Sequence, residues 1–287
     1  MEIVKCCICN SDNYKNLYKI KRSDGTINIV KCKNCGHIYQ NPRLSDNEIK
    51  KAYNKIKKFY RTMPRKTNIM SFNLLNNKRL EEIEKYANKG KVLDIGCSFG
   101  NFLNTAKKRG WETYGNDISK YISDFAKKKM KLNVFYGTIE QIKYPKEFFD
   151  TITLFDVIEH LPDPKKTLKE CNRIMKKNGL LIIQTPAIDS IYAKIKGKNW
   201  EYFGIQHLNY FSKKSLETLL KKTGFKIIKI YYGSDIGFLT SIKAYLLNKE
   251  NKRNIVSIIK FILVQILKRL HIGNISFGSR VYYAVKV

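Results

Sequence analysis

From residue 91 onward, short apolar runs alternate with amphipathic stretches. KVLDIG (91–96), ETYGNDIS (112–119), NVFYGT (133–138), the opening of DTITLFDVIEHL (150–161), GLLIIQTP (179–186), FKIIKIYY (225–232) and SRVYYAVKV (279–287) read as seven strands. NFLNTAKKRG, YISDFAKKKM, DPKKTLKECNRIMKK (163–177) and SKKSLETLLKKTGF (212–225) place apolar residues at helical spacing between them. Strands alternating with helices of this length predict an α/β fold, a doubly wound Rossmann-like sheet. Ligands of such sheets sit outside the carboxyl ends of the strands, so the chemistry belongs in the loops after strands one to five.

The first 43 residues follow another pattern. Cys6-x-x-Cys9 and Cys32-x-x-Cys35 are two tight knuckles, 22 residues apart. Each offers two thiolates to one ion, and together they complete a tetrahedral four-cysteine set suited to Zn²⁺. The segment between them reads as two strands around a turn at Ser23-Asp24-Gly25, which predicts a small zinc ribbon. A closed site of this kind is structural, because so short a segment buries too little surface to fold alone. Cys7 is a bystander, and His37 is the nearest substitute ligand. Cys97 and Cys171 read as small apolar core residues. Seven cysteines, an odd count, do not form a disulfide framework.

Residues 44–90 form a helical linker or cap. Ser45 and Glu48 have the spacing of a capping box ahead of a helix that stops near Pro64, and a second helix covers about 72–86. The main domain then runs over 91–287, with an insert at about 233–276.

The loop after the first of the seven strands is Asp94-Ile95-Gly96-Cys97-Ser98-Phe99-Gly100. Gly96 and Gly100 let the backbone turn tightly and approach a ligand. Asp117 ends the second strand about 20 residues on, where an acid can accept hydrogen bonds from ribose hydroxyls. With these residues in view, VLDIGCSFGNFL resembles the first motif of the class I S-adenosylmethionine-dependent methyltransferases. Phe155-Asp156-Val157-Ile158-Glu159-His160-Leu161 and QHLNYFSKKSLETLLKKTGF (206–225) are similar to segments of their ubiquinone-type and sugar methyltransferase-like group, which includes members with an N-terminal four-cysteine module. Ser98 stands where that family has the middle glycine of its loop. The resemblance implies six parallel strands and an antiparallel last one. It implies S-adenosylmethionine as cofactor, with Asp94, Gly96, Cys97, Ser98 and Gly100 around its methionine part. Asp117 would hold the ribose, Ile118 and Thr138 would lie by the adenine, and Phe155 and Asp156 would close the pocket.

Methyl transfer to a hydroxyl or an acidic carbon needs a base, and histidine suits neutral pH. Of four histidines, His207 and then His160 are the candidates by position; Glu159-His160 alone supplies too few ligands for a metal ion. Aromatic residues of the segment 186–211, Trp200, Tyr202 and Phe203 among them, either stack on a sugar or base or pack the lid. The acceptor is read as a small molecule or saccharide, with RNA as the alternative.

Composition adds two open questions. The formal net charge is +31, spread along the chain and carried by 45 Lys against 10 Arg. AT-rich codon usage accounts for it, as does a polyanion-binding surface, though scarce Arg weighs against base readout. In the insert, IVSIIKFILVQILKRL (255–270) is too short and too charged to span a bilayer; it fits peripheral membrane contact, a dimer seam or an active-site cap. With 43% hydrophobic residues the chain is no disordered protein, and its N-terminus lacks a signal-peptide core, so the expected location is cytoplasmic or peripheral to the inner membrane face.

Overall fold

The computed structural model describes residues 1–22, 25–45, 47–49, 69–232 and 278–287. The expected helix before Pro64 and the 233–276 insert, with its 255–270 segment, lie largely or wholly outside these residues. No helix among the described residues is long and apolar enough to cross a membrane.

Two sheets organise the molecule. The larger has seven strands: β4 (Lys91–Ile95), β5 (Glu112–Asp117), β6 (Asn133–Tyr136), β7 (Phe149–Phe155), β8 (Met175–Pro186), β10 (Phe225–Tyr232) and β11 (Ser279–Lys286). Their order is β10-β11-β8-β7-β4-β5-β6. β4 pairs in parallel with both β5 and β7, and β11 is antiparallel to both β8 and β10. This is the expected Rossmann-like sheet with its last strand reversed. The order switches at β4, between β5 and β7, so a crevice opens at their carboxyl ends.

Helices α1 (Ile69–Ile83), α2 (Asn101–Lys108), α3 (Lys120–Lys129), α4 (Ile139–Ile142), α5 (Pro164–Ile174), α6 (Ile191–Lys196) and α7 (Lys213–Lys222) flank the sheets. β7 is buried at nearly every position, as a strand covered on both faces must be. One boundary differs from the sequence reading. The helix expected to run to Lys177 ends at Ile174, and Met175–Lys177 begin β8. Met175 is already extended and pairs with Phe149, so sheet pairing overrides the helix preference of Lys176 and Lys177.

The smaller sheet holds the ribbon: β1 (Tyr14–Arg22), β2 (Gly25–Cys32) and β3 (Ile38–Gln40). It has a fourth strand, β9 (Asn209–Tyr210), supplied by the segment after β8. Ile38 pairs with Tyr210, and Tyr39 with Asn209. The ribbon also shares a core with the main domain, since Cys6, Ile8, Val30 and Tyr39 belong to the same buried cluster as Phe211, Leu216 and Leu220.

Candidate functional site

The loop from β4 to α2 bends as its glycines require. Gly96 has φ 68° and Gly100 has φ 79°. A Cβ on Gly96 would lie 2.5 Å from Val157 Cγ2, and one on Gly100 would lie 2.4 Å from Leu132 Cδ1. Ser98, in the place of the family's middle glycine, also takes a positive φ of 49°, so the loop keeps that backbone turn with a side chain present. Cys97 turns its thiol inward against Gly115 of β5; burial raises its pKa, as expected for a packing residue.

Asp117, at the end of β5, accepts 3.2 Å and 2.8 Å hydrogen bonds from the backbone N–H groups of Ser98 and Ser119. One oxygen is thus tied to the glycine loop and the other to the entry of α3. Each retains acceptor capacity for a further hydroxyl. Ile118 lies beside it, half-buried. Asp94 is buried and accepts from Thr153 Oγ1 at 2.7 Å, and burial pushes its pKa up to about 7. Thr138 follows β6 and caps α4 through a reciprocal box with Gln141.

The far wall comes from β7, β8 and a helix that sequence reading did not assign to the site. Arg79 of α1 lies over the Phe155 ring, 4.0 Å from its centroid, and donates to Gln184 Oε1 at 2.9 Å. Gln184 in turn donates to Asp156 Oδ2 at 2.9 Å. Arg79 was recognisable only as the single arginine of its helix; its reach of 105 residues to Gln184 leaves no local trace.

Past Asp156 the chain enters a single 3₁₀ turn, Ile158–His160. Val157 touches the glycine loop, so Glu159 and His160 sit next to the cofactor end. Both expected histidines meet here, their ring centroids 4.4 Å apart in edge-to-face geometry. His160 Nδ1 bonds the Gln206 carbonyl at 2.9 Å. A ring N–H of His207 bonds the Tyr202 carbonyl, and the Tyr202 ring stacks on His207 at 5.8 Å. Burial lowers the pKa of both, with His160 also depressing His207 to about 3, so both imidazoles are neutral. Glu159 is fully buried, accepts from Thr185 Oγ1 at 3.0 Å, and is pushed up to about 8, first by burial and then by the charge of Asp156. Ligating atoms of Glu159, His160 and His207 all lie within 4.8 Å of one another.

The His207 segment is held from behind by the ribbon. Gln40 Nε2 contacts the carbonyls of Gly204 and His207 at 2.6 and 2.7 Å, and Tyr210 Oη at 3.1 Å. Asn209 Oδ1 faces His37 Nε2 at 3.2 Å and Cys7 Sγ at 3.4 Å, while its Nδ2 donates to the Leu161 carbonyl at 2.8 Å. His37 is therefore no cysteine-site ligand; burial holds it neutral, with a pKa lowered to about 4. Most of the lid aromatics pack inward. Trp200, Phe203 and Tyr210 bury against Ile27 and Ile29 of the ribbon, which leaves Tyr202 as the one facing His207.

The four sulfurs of Cys6, Cys9, Cys32 and Cys35 also lie within 4.8 Å of one another, with Cys6–Cys35 at 3.4 Å and Cys9–Cys32 at 3.5 Å. A tetrahedron of 2.3 Å Zn–S bonds has sulfurs about 3.8 Å apart, so the cluster fits that ion with small adjustments.

Comparison with known proteins agrees with this geometry. Residues 70–230 match the family described as a methyltransferase domain. A ubiquinone biosynthesis O-methyltransferase from Coxiella burnetii is 36% identical over 119 residues, 39% of this chain and 51% of that protein. The chain thus spans about half the length of the curated relatives it matches first. The crystal structure of a SAM-dependent methyltransferase from Archaeoglobus fulgidus superposes with a TM-score of 0.53 at 27% identity, covering 75% of this chain and 94% of that one. Haemonchus contortus phosphoethanolamine N-methyltransferase 2 shares the fold, with a TM-score of 0.56 at 16% identity over 94% of this chain and 71% of its own. The glycine loop, the acid after β5 and a family match over more than half its length agree: the chain belongs to the methyltransferase-domain family.

Proposed function

We propose that the protein transfers a methyl group from S-adenosylmethionine to an oxygen or carbon of a small-molecule or saccharide acceptor. The observation that carries this reading is the carboxylate of Asp117, bridging the glycine loop and α3 at the topological switch point, next to the buried Glu159–His160–His207 cluster. The cofactor supplies a methyl group on a sulfonium, an excellent leaving group. The chain's task is to orient both partners in line and to exclude water.

In this reading Asp117 orients the ribose and Ile118 and Thr138 border the adenine. Gly96, Ser98 and Gly100 bring backbone close to the methionine portion, with Cys97 packing behind them. Asp94 faces that portion's charge, and Phe155 and Asp156 close the pocket, braced by Arg79 and Gln184. His207, backed by His160, lines the acceptor end and is the group nearest the acceptor's proton; its neutral imidazole accepts a hydrogen bond from an acceptor hydroxyl, although burial and His160 leave it a weak base. The ubiquinone relatives, named as O-methyltransferases, favour an oxygen acceptor. Zn²⁺ on Cys6, Cys9, Cys32 and Cys35 would hold the ribbon together and, through Gln40 and Asn209, the His207 segment.

An RNA acceptor is the second reading. It is favoured by a cleft of about 560 Å³ between the ribbon and α5, lined by Lys5, Arg43, Lys165, Lys166 and Lys169 against Asp163. Methyl-labelled S-adenosylmethionine, incubated with the protein and a cell extract containing membranes, separates the two. Label in nucleotide-sugar, lipid-linked or glycan material supports the first reading; label released by ribonuclease replaces it with the second.

A further inference from the structure

We propose that the cleft between the ribbon and α5 is a binding site for a small phosphorylated compound that also carries hydroxyl groups. Lysines take the phosphate, and Tyr39 and Gln40 meet the ligand at the inner wall. The site goes beyond the methyltransfer reading and does not rest on it.

Three observations carry it. First, the charge of the cleft is one-sided. Lys5 from the ribbon and Lys165, Lys166 and Lys169 from α5 line one space of about 560 Å³. Among the described residues none of the four forms an ion pair. The two other charged residues there are engaged. Arg43 donates to Glu2 Oε1 at 3.0 and 3.1 Å and to the Pro162 carbonyl, which ties the ribbon to the loop before α5. Asp163 caps α5 by accepting from the backbone N–H of Lys166 at 2.9 Å. Four ammonium groups gathered around one concave space repel one another, and a bound anion relieves that repulsion.

Second, the inner wall holds two unused polar groups. Tyr39 is 3% exposed and Gln40 is fully buried, and both line the cleft. Neither the Tyr39 hydroxyl nor Gln40 Oε1 has a hydrogen-bond partner among the described residues. Gln40 Nε2 is held by the carbonyls of Gly204 and His207, so the amide oxygen is its free end. A buried polar group left unpaired costs about 1–3 kcal/mol, and such groups are ordinarily satisfied. The Tyr39 hydroxyl can donate to a phosphate oxygen, and Gln40 Oε1 can accept from a ligand hydroxyl.

Third, the dimensions suit a small molecule. Pockets for small ligands enclose roughly 300–1,000 Å³, and a bare phosphate would leave most of this one empty. Single-stranded RNA is held along a basic groove by aromatic side chains on which its bases stack. Among the described residues Tyr39 is the one aromatic lining this cleft, and it is buried. Leu208 and Asn209 form part of the wall, so the site abuts the segment that carries His207.

The test uses the full chain with its ribbon loaded with Zn²⁺, titrated calorimetrically with inorganic pyrophosphate and with ribose 5-phosphate. The expected result is one saturable site per chain, weakened by added salt. Lys165→Ala/Lys169→Ala should weaken pyrophosphate binding by at least about tenfold, because charge-assisted hydrogen bonds to phosphate are the strong ones. Lys127→Ala/Lys128→Ala makes the same charge change on the exposed end of α3 and should shift affinity by less than about twofold. Tyr39→Phe should weaken ribose 5-phosphate by roughly three- to tenfold, the worth of one hydrogen bond. Circular dichroism and zinc content show that each variant is folded; Lys5→Ala serves for the ribbon side if Tyr39→Phe is not. Uptake without saturation, equal losses in the two lysine pairs, binding indifferent to the α5 lysines or to the ribbon-side variant, or no uptake by folded protein overturns the site. An RNA oligonucleotide that binds through the α5 lysines where neither probe binds replaces it with a polynucleotide surface. The source of the phosphate is read in the labelled-extract assay. Pyrophosphate that suppresses labelling makes the phosphate part of the acceptor, and labelling indifferent to it makes the compound a separate ligand. A protein that holds pyrophosphate in the cleft but does not bind S-adenosylmethionine keeps this site and removes the methyltransfer reading instead.

Discussion

The two ends of the crevice are assembled in opposite ways. The glycine-loop side of the end we assign to the cofactor is local. Asp94, Gly96, Ser98, Gly100 and Asp117 lie within 24 residues, on two adjacent strands and the loop between them. The acceptor end is stitched together over long distances. Gln40 reaches the His207 carbonyl across 167 positions, and Cys7 meets Asn209 across 202. The glycine-loop side of the end assigned to the cofactor therefore depends on backbone shape within one βαβ unit, whereas the end assigned to the acceptor depends on the ribbon being folded and docked.

The strongest way to break this contrast is to disable the ribbon. Cys32→Ser, or treatment with a chelator, would take away the zinc we propose for the ribbon, an ion whose binding free energy in small ribbons is on the order of 10 kcal/mol. Amide exchange should rise sharply over 204–211, while S-adenosylmethionine affinity stays within about threefold, a change below 1 kcal/mol. Loss of both together would show that the two ends fold as one. The mirror variant, Asp117→Ala, should weaken the cofactor by roughly 10- to 100-fold, the worth of one or two charge-assisted hydrogen bonds, with zinc content unchanged. Unaltered affinity would remove the ribose assignment.

A subtler cut is Gln40→Leu. It leaves the Gly204 and His207 carbonyls without their buried donor, at about 1–3 kcal/mol each where water cannot replace it. The melting temperature should fall, and the His207 ring resonance should shift while that of His37 moves little. A variant with the wild-type His207 resonance would reduce the ribbon to a passive neighbour.

The smallest effect is one of pH. The Asp94 carboxyl is pushed up to about 7 by burial, so without cofactor it keeps its proton below that pH. A neutral carboxyl offers no charge to the cofactor's cationic groups. S-adenosylmethionine affinity should therefore rise between pH 6 and 8, by up to roughly tenfold, since one pKa unit is worth about 1.4 kcal/mol. Asp94→Asn should flatten that slope; a slope that persists in the variant would assign it to another group.

What the sequence disclosed follows the same division. The seven strands and the Asp94–Gly100 loop were legible because period-two runs, helix spacing and glycines that need positive φ are local signals, whereas the reversed last strand came only from the family resemblance. The paired cysteines were legible because their spacing is itself the geometry of the site. Arg79, Gln184, Gln40 and Asn209 were not, because a polar residue on a strand or helix does not say which distant carbonyl it will meet. The aromatic residues after β8 were open to stacking on an acceptor or to packing the lid; Trp200, Phe203 and Tyr210 pack against Ile27 and Ile29, partners visible only once the ribbon has docked. Glu159 and His160 are neighbours in the sequence, but nothing in it places His207, 47 residues away, beside them.

β9 is only two residues long, yet it is where a module of the first 43 residues becomes part of the domain that follows. A chain trimmed to its family-matching span, residues 70–230, would keep β9 and lose β3, leaving the Asn209–Tyr210 backbone without its sheet and Phe211 without His37 beside it. The boundary that sequence families draw and the boundary at which this protein can be cut are thus different lines. Anyone grafting the ribbon onto another scaffold would have to carry 204–211 along as part of the graft.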